Sequence, residues 1–185
     1  MDEVGSFTTL DKRQVTVRRI TAKDTPLLVD LFHHLSERTI RLRFHVHLSH
    51  IPEDRLWEQA QALSDLDPAR EVALLALVEE EGSEHAVGVA RFGRASAEDI
   101  QAEAAVVVRD DYQGAGLGTH LAFRLIHVAR SMGIKQFVAW VLPENIEVLR
   151  LINKLGLPFE QQTRMGETKI VANIDEIDKL QALLD

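Results

Sequence analysis

The sequence predicts a single α+β domain, and three observations favour this class. The chain has 185 residues, 45% of them hydrophobic, which suffices for one sizeable core at the usual length of a single domain. Apolar residues recur with strand-like and helix-like periods in turn, as expected of mixed secondary structure. No internal repeat or low-complexity linker divides the chain. We therefore expect residues 1–185 to form one domain.

The first half of the chain alternates predicted strands with predicted helices. Residues 15–20 alternate between apolar and polar, as a half-buried strand does. Pro26 suits the first turn of a helix, and the apolar residues after it are spaced three or four apart. Residues 52–63 show the same helical spacing. The apolar runs 71–79 and 85–93 are joined by a short polar segment, which indicates a hairpin.

The second half is predicted in the order strand, helix, strand, helix, hairpin, helix. The strand at 100–108 leads into a glycine-rich turn, and the long helix at 117–132 stops at Gly133, a residue suited to helix ends. The remaining elements are a strand at 136–141, a helix at 145–155, a hairpin around 165–167 and a surface helix at 175–184.

The glycine-rich turn is the most informative feature of the chain. Gly114, Gly116 and Gly118 occupy alternate positions, so backbone N–H groups can converge there without obstruction by Cβ atoms. The helix that follows adds its own unpaired N–H groups and the positive end of its dipole. A dinucleotide fingerprint would need glycine where Thr119 stands, and a P-loop would need lysine after Gly118. The turn therefore predicts a different cradle for the pyrophosphate of an anionic cofactor.

Three valines, Val106 to Val108, precede a Q-x-x-G-x-G pattern formed by Gln113, Gly116 and Gly118. This combination resembles motif A of the GNAT superfamily of acetyl-CoA-dependent N-acetyltransferases. The resemblance implies acetyl-CoA as the cosubstrate and direct transfer of the acetyl group to an amine acceptor.

The resemblance extends over about residues 15–173, the expected core of the domain. The segment 145–157 is similar to the family's N-x8-K-x-G-F segment, with Leu157 in place of the final aromatic residue. The segment 35–44 is similar to one in the GNAT domains of bacterial Pat-type protein lysine acetyltransferases. The resemblance implies a mixed central sheet of six to seven strands, splayed at the cofactor site and flanked by helices on both faces. It also allows a homodimer, because GNAT domains are frequently dimers.

The family pattern assigns roles in cofactor binding. Val106 and Val108 would bind the pantetheine amides as an added strand does, and the glycine-rich turn would hold the pyrophosphate. Asn145 would either bond the pantetheine arm or cap its helix, and Arg109 would either reach a phosphate or lie in solvent. The residues implied to bind acetyl-CoA are Val106, Val107, Val108, Gln113, Gly114, Ala115, Gly116, Leu117, Gly118, Thr119 and Asn145.

The resemblance also implies a general base. An amine attacks a thioester only when neutral, and a lysine amine with a pKa of about 10.4 is almost wholly protonated at pH 7. Glu103 matches the family's catalytic glutamate, and we expect it to lie half-buried with small neighbours. The alternative is that Glu103 is an outward-facing carboxylate paired with a surface lysine. In that case Glu98 and Asp99 are the reserve candidates for the general base. The family's usual tyrosine acid has no counterpart, because Ile152 lies at or next to that place and the sole tyrosine is Tyr112.

Composition excludes several other classes of function. A net charge of −8 argues against a nucleic-acid partner and favours a cationic acceptor. The lack of cysteine excludes disulfides, thiolate metal sites and an acyl-cysteine intermediate. No bilayer-spanning apolar run and no signal-peptide pattern is present, so we expect a cytoplasmic protein with no membrane partner.

Five of the eight histidines fall between His33 and His50. His45 and His47 would share a face of a strand, and imidazole is a common zinc ligand. No cysteine or aspartate joins them at close spacing, and GNAT chemistry needs no metal. We therefore expect no metal site, and packing, surface or acceptor-pocket positions for these side chains.

The leading hypothesis is an enzyme that acetylates a primary amine, with a protein lysine favoured by the Pat-like segment 35–44. A small-molecule amine such as a polyamine, amino acid or aminoglycoside is the alternative acceptor. A hypothesis from another class is a non-catalytic acyl-CoA-binding regulatory module, which would bind the cofactor without turnover.

Overall fold

The computed structural model describes residues 5–45 and 51–175. Within those residues the chain forms one eight-stranded sheet and five α-helices, which agrees with the predicted α+β class. The helices are α1 (Thr25–His33), α2 (Glu37–Phe44), α3 (Glu53–Ser64), α4 (Leu117–Ser131) and α5 (Ile146–Lys154). The strands are β1 (Gly5–Thr8), β2 (Gln14–Arg19), β3 (Glu71–Glu80), β4 (Ser83–Gly93), β5 (Gln101–Val108), β6 (Gln136–Val141), β7 (Phe159–Arg164) and β8 (Glu167–Asn173).

The sheet is splayed at its centre. Its strand order is β1-β2-β3-β4-β5-β6-β8-β7, and every neighbouring pair is antiparallel except β5 and β6. The parallel pairing runs only from Gln101 opposite Gln136 to Glu103 opposite Val138. Both strands continue beyond that point without pairing to each other, so a wedge opens between them. The mixed, splayed sheet implied by the resemblance is confirmed.

Helices cover both faces of the sheet. On one face α4 packs against β3, β4 and β5 and buries Leu117, Leu121 and Leu125. On the other face α1 packs against β4 and α3, with Leu31 and Leu56 in a second apolar cluster. Because both faces are covered, β3 is buried at every position from 72 to 78. This burial explains the continuous apolar run in that part of the sequence.

Local turn chemistry sets the two hairpins. Glu81 and Gly82 join β3 to β4 with φ values of 53° and 79°, and Met165 and Gly166 join β7 to β8 with φ values of 51° and 84°. Left-handed backbone at both turn positions is the type I′ pattern, whose twist matches that of antiparallel strands. Both predicted hairpins are confirmed.

The sequence does not predict two elements that the structure contains. The short strand β1 pairs with β2 at the edge of the sheet, which raises the strand number to eight from the expected six to seven. The helix α2 buries only Ile40, so its apolar spacing gives little helical signal. Ser36 starts this helix, since its Oγ accepts a hydrogen bond from the Thr39 N–H at 3.2 Å.

The expected strand at His45 and His47 is wrong at His45, which ends α2 with φ of 56°. A left-handed residue after a helix terminates it and cannot continue a regular strand. His47 and His50 lie outside the described residues. The predicted surface helix at 175–184 also lies outside them, apart from Asp175.

Candidate acyl-CoA site

The wedge between β5 and β6 opens into a cavity of about 390 Å³. Its walls come from the two splayed strands, the glycine-rich loop, the helices α2, α4 and α5, and β8. Ala115 and Leu117 are buried behind this surface. The predicted cofactor residues that line the cavity are Val106, Val107, Val108, Gln113, Gly114, Gly116, Gly118, Thr119 and Asn145. The structure thus gathers these residues at one place.

The glycine-rich loop presents a row of free backbone donors. Gly114 and Gly116 have φ values of 73° and 88°, which glycine adopts without strain, and Gly116 leads directly into α4. Across the described residues, the N–H groups of 114–119 donate to no backbone carbonyl and no side chain. A Cβ atom added at Gly114 would meet nothing within 4 Å, so there is open space beside the loop. These donors and the positive end of the α4 dipole fit a pyrophosphate group.

Among the described residues, the edge of β5 that faces the wedge has no partner strand beyond Glu103. On its other side β5 stays paired with β4, up to Val108 opposite Gly88. An extended pantetheine arm can therefore pair with the free edge as an added strand does. The carbonyl of Val108 already accepts a hydrogen bond from Gln113 Nε2 at 3.0 Å. The Gln113 side chain thus ties the loop to the end of β5.

A buried arginine anchors the loop. Arg109 is only 6% exposed, and its guanidinium donates to Glu80 at 2.7 and 3.1 Å and to Asp111 at 2.8 and 3.0 Å. These hydrogen bonds hold the pKa of both carboxyl groups below its ordinary value. Tyr112 is also buried, and its hydroxyl donates to Glu80 at 3.1 Å. The expected solvated side chain of Arg109 is therefore wrong, and the alternative, a phosphate contact, stays a prediction.

A second anchor joins the loop to α2. The Asp110 carboxylate accepts hydrogen bonds from the Ser36 N–H at 2.9 Å, the Ser36 hydroxyl at 2.6 Å and the Thr39 hydroxyl at 2.8 Å. Burial raises the pKa of Asp110, but these hydrogen bonds outweigh it and the pKa lies below its ordinary value. Gln113 Nε2 also donates to the Thr39 hydroxyl at 3.2 Å. The contact fixes α2 beside the cavity, where Thr39, Leu42 and Arg43 form part of the lining.

Glu103 lies at the closed end of the wedge, where β5 and β6 are last paired. Its side chain is exposed, so the expected half-buried setting is wrong, although Ala102 and Ala104 do keep the neighbouring space open. Glu103 has no hydrogen bond or ion pair to any residue of 5–45 or 51–175, including the surface lysines considered as alternative partners. The strand from Glu103 to Val108 spans about 16 Å at ~3.3 Å per residue, a distance that an extended pantetheine arm can cover.

The other side of the cavity comes from α5 and its approach. Asn145 precedes α5 in the N-cap position, but its side chain forms no capping hydrogen bond, which leaves the amide free to face the cavity. Ile152 and Leu157 also line the cavity and are buried. Neither can donate a proton. Tyr112 is committed to Glu80, so the described residues supply no tyrosine acid.

Four of the described histidines contact polar groups. His33 lies 3.3 Å from Glu53, His45 lies 2.9 Å from Glu167, and His85 lies 2.8 Å from Asp30. His34 Nδ1 lies 2.8 Å from the carbonyl of Asp30. No group of three or more potential metal ligands gathers within 5–45 and 51–175. No helix in those ranges is long and apolar enough to cross a membrane.

A splayed mixed sheet with free loop donors at the start of the central helix defines an acyl-CoA-binding fold. The family model for the acetyltransferase (GNAT) domain matches residues 14–158. The chain belongs to the GNAT acetyltransferase family.

Three known proteins illustrate the similarity. An acetyltransferase of Pseudomonas aeruginosa is 38% identical over 128 residues, which cover 68% of this chain and 65% of that protein. The GNAT domain of S. lividans PAT has a TM-score of 0.80 at 24% identity, over 92% of this chain and 96% of that one. The Salmonella typhimurium YncA structure, which holds its cofactor acetyl-CoA, has a TM-score of 0.60 at 25% identity, over 88% and 95% of the two chains.

Proposed function

We propose that this protein transfers an acetyl group from acetyl-CoA directly to a primary amine, with a protein lysine as the acceptor. The observation that carries the proposal is the row of free N–H groups at 114–119. This row follows the end of β5, and the unpaired edge of β5 runs back from there to Glu103. The N–H groups would bind the pyrophosphate, and the strand edge and Asn145 would bind the pantetheine arm. Acetyl-CoA supplies the acetyl group as a thioester, which amines attack.

Glu103 is the proposed general base. Its carboxylate is exposed and lacks a partner among the described residues, so it is free to accept a proton from the incoming ammonium, directly or through water. The buried side chains of Ile152 and Leu157 exclude water from the inner wall. The described cavity contains no tyrosine acid, and solvent would protonate the departing thiolate.

A protein lysine is supported by the similarity of segment 35–44 to Pat-type domains and by the net charge of −8, which favours a cationic acceptor. The structure places part of this segment, in α2, on the wall of the cavity. A cytoplasmic location and a homodimer stay predictions. A regulatory module that binds acyl-CoA without turnover is the competing function, and a direct assay separates the two.

The first experiment measures acetyl-CoA binding by calorimetry. Gly116→Val forces a β-branched residue into a left-handed conformation in the cradle, so we expect binding to be lost. Gly166→Val imposes the same strain in the β7–β8 turn and should leave binding intact. Unchanged binding by Gly116→Val would contradict the assignment of the cradle.

The second experiment measures release of free CoA thiol with lysine peptides. Loss of the base in Glu103→Gln should lower the rate on the order of 10²-fold or more while acetyl-CoA binding persists. Glu98→Gln is the matched control, because Glu98 is exposed, close in sequence and bonded locally to Ser96. An equal loss in both variants, or none in Glu103→Gln, would remove Glu103 from the role. Binding without release by the wild-type protein would favour the regulatory module.

A further inference from the structure

A second cavity, of about 340 Å³, lies on the face of the sheet covered by α1 and α3. Leu28, Phe32, Leu56 and Leu63 form its apolar walls, and Val89 of β4 and Val107 of β5 form its floor. Val107 also lines the acyl-CoA cavity on the same strand. The two cavities therefore adjoin at β5, and the second one has room for a leucine or phenylalanine side chain.

Arg43 lies where the two cavities meet, since it lines both. Its guanidinium stacks at 5.1 Å from the ring centroid of Phe44, but no carboxylate within 5–45 or 51–175 pairs with it. The adjoining segment 46–50 contains no acidic residue. Burial, with the nearby charge of Arg91, lowers the pKa of Arg43 to about 10. Arg91 itself is paired with Glu71 at 3.1 Å, so Arg43 has no counter-ion within the part of the chain that the structure describes.

Glu103 is an opposite charge close enough to act on Arg43. It lies on the same face of the sheet as Arg91, because Arg91 is opposite Ala105 and the side chains of Ala105 and Glu103 share one face of β5. The carboxylate partly offsets the fall in the pKa of Arg43, yet the two groups form no ion pair. A half-buried cation beside an apolar cavity and an exposed anion without a described partner thus lie on the same face of the sheet.

We propose a further activity for this site, the acetylation of the α-amine of a free amino acid with an apolar side chain. The carboxylate of the amino acid would pair with Arg43, its amine would face Glu103, and its side chain would fill the second cavity. Charge complementarity supports this occupant, since an Arg–carboxylate pair satisfies the free guanidinium. A lysine side chain carries no carboxylate next to its amine and leaves Arg43 unpaired.

The reaction is the one proposed for the protein, on a second class of acceptor. Glu103 takes a proton from the ammonium, the amine nitrogen forms a bond to the thioester carbonyl carbon, and the carbon–sulfur bond breaks. The nitrogen loses its second proton, and the thiolate gains one from solvent. The products are the N-acetyl amino acid and CoA thiol. The activity therefore rests on the proposed acetyl transfer from acetyl-CoA.

The test compares L-leucine with isoamylamine, which has the same side chain and amine but no carboxylate. We expect the wild-type protein to favour leucine by roughly 10-fold or more in kcat/KM, as a charge-assisted pair predicts. Arg43→Met, which keeps an apolar stem of similar length, should abolish that preference, and Arg43→Lys should restore part of it. Arg55→Met is the control on the exposed face of α3 and should keep the preference.

Calorimetry with L-leucine alone gives an independent readout, because binding needs Arg43 and not turnover. Equal rates with leucine and isoamylamine, a preference that survives in Arg43→Met, or no leucine binding would each overturn the inference. Acetylation of lysine peptides without leucine binding would overturn it and leave the proposed function standing. Arg43-dependent leucine binding without acetylation of any amine would overturn both activities and identify the site as a binding site only.

Discussion

Arg109 and Glu80 form a bidentate ion pair, in which Nη2 donates to Oε1 at 2.7 Å and Nη1 donates to Oε2 at 3.1 Å. The pair joins the end of β3 to the first residue after β5, just before the loop proposed to hold the pyrophosphate. Arg109 is buried whereas the Glu80 side chain is 38% exposed. The proposed cofactor loop is therefore fixed to the end of β3 by a buried cation whose guanidinium is bonded to two carboxylates.

Replacing this cation should weaken both stability and cofactor binding. Arg109→Met leaves Glu80 and Asp111 without their common partner, and the loss should be about 2 kcal/mol, below the 3–5 kcal/mol of a fully buried pair because both carboxylates are partly exposed. Urea unfolding measures the stability, and calorimetry should show weaker acetyl-CoA binding. Arg55→Met, on the surface of α3, should change neither quantity. Unchanged acetyl-CoA affinity in Arg109→Met would contradict a positioning role.

The contact between Asp110 and α2 should matter more for binding than for global stability. Asp110→Ala removes the acceptor of three hydrogen bonds from Ser36 and Thr39, which frees α2 from the wall of the cavity. We expect faster amide hydrogen exchange in α2 and a higher dissociation constant for acetyl-CoA. The control is Asp65→Ala, at the exposed end of α3. Exchange rates in α2 equal to those of the wild type would show that the helix is held by other contacts.

Asn145→Ala distinguishes a cofactor contact from a helix cap. The side chain of Asn145 forms no capping bond, so its loss should leave the melting temperature nearly unchanged. One lost hydrogen bond of about 1 kcal/mol would raise the acetyl-CoA dissociation constant roughly 5-fold. Ser36→Ala removes a real cap together with the hydroxyl's hydrogen bond to Asp110, and it should cost at least about 1 kcal/mol of stability. A clear drop in melting temperature for Asn145→Ala would favour the capping role.

The features that could be predicted from the sequence are those encoded over short distances. The glycines at 114, 116 and 118 predict the loop, and the 3.6-residue spacing of apolar residues predicts α4. Gly82 and Gly166 indicate the two hairpin turns. Each of these signals lies within the element that it specifies, so neighbouring residues are enough to identify it.

The features that the sequence does not predict depend on contacts between segments that are far apart in the chain. Arg109 gives no local sign of its ion pair with Glu80, which lies 29 positions away, and Asp110 reaches Ser36 across 74 positions. The role proposed for Arg43 depends on two cavities that exist only after folding. The charge-rich sequence of α2 also gives little helical periodicity, because this helix is held by hydrogen bonds and buries little apolar surface.

Because of His120, we expect the free energy of unfolding to fall in mild acid. It is buried in the first turns of α4, stacks on Phe7 at 4.1 Å and accepts a hydrogen bond from Arg124 at 2.7 Å. Burial, with the charge of Arg124, lowers the pKa of His120 from 6.5 to about 4. The unfolded chain therefore binds a proton near pH 6.5 that the folded protein does not bind until about pH 4. Between those values the unfolded state holds more protons, so the free energy of unfolding falls as the pH falls.

The measurement is the free energy of unfolding in urea at several pH values between 4 and 6.5. The contribution of His120 across this window is at most on the order of 3 kcal/mol. His120→Gln keeps an acceptor for Arg124 but has no titrating group, so its stability should fall less steeply with acid. Carboxyl groups such as Asp110 and Asp111 titrate alike in both proteins, and their effect cancels in the comparison. Parallel pH profiles for the two proteins would mean that His120 is protonated without cost in the folded state.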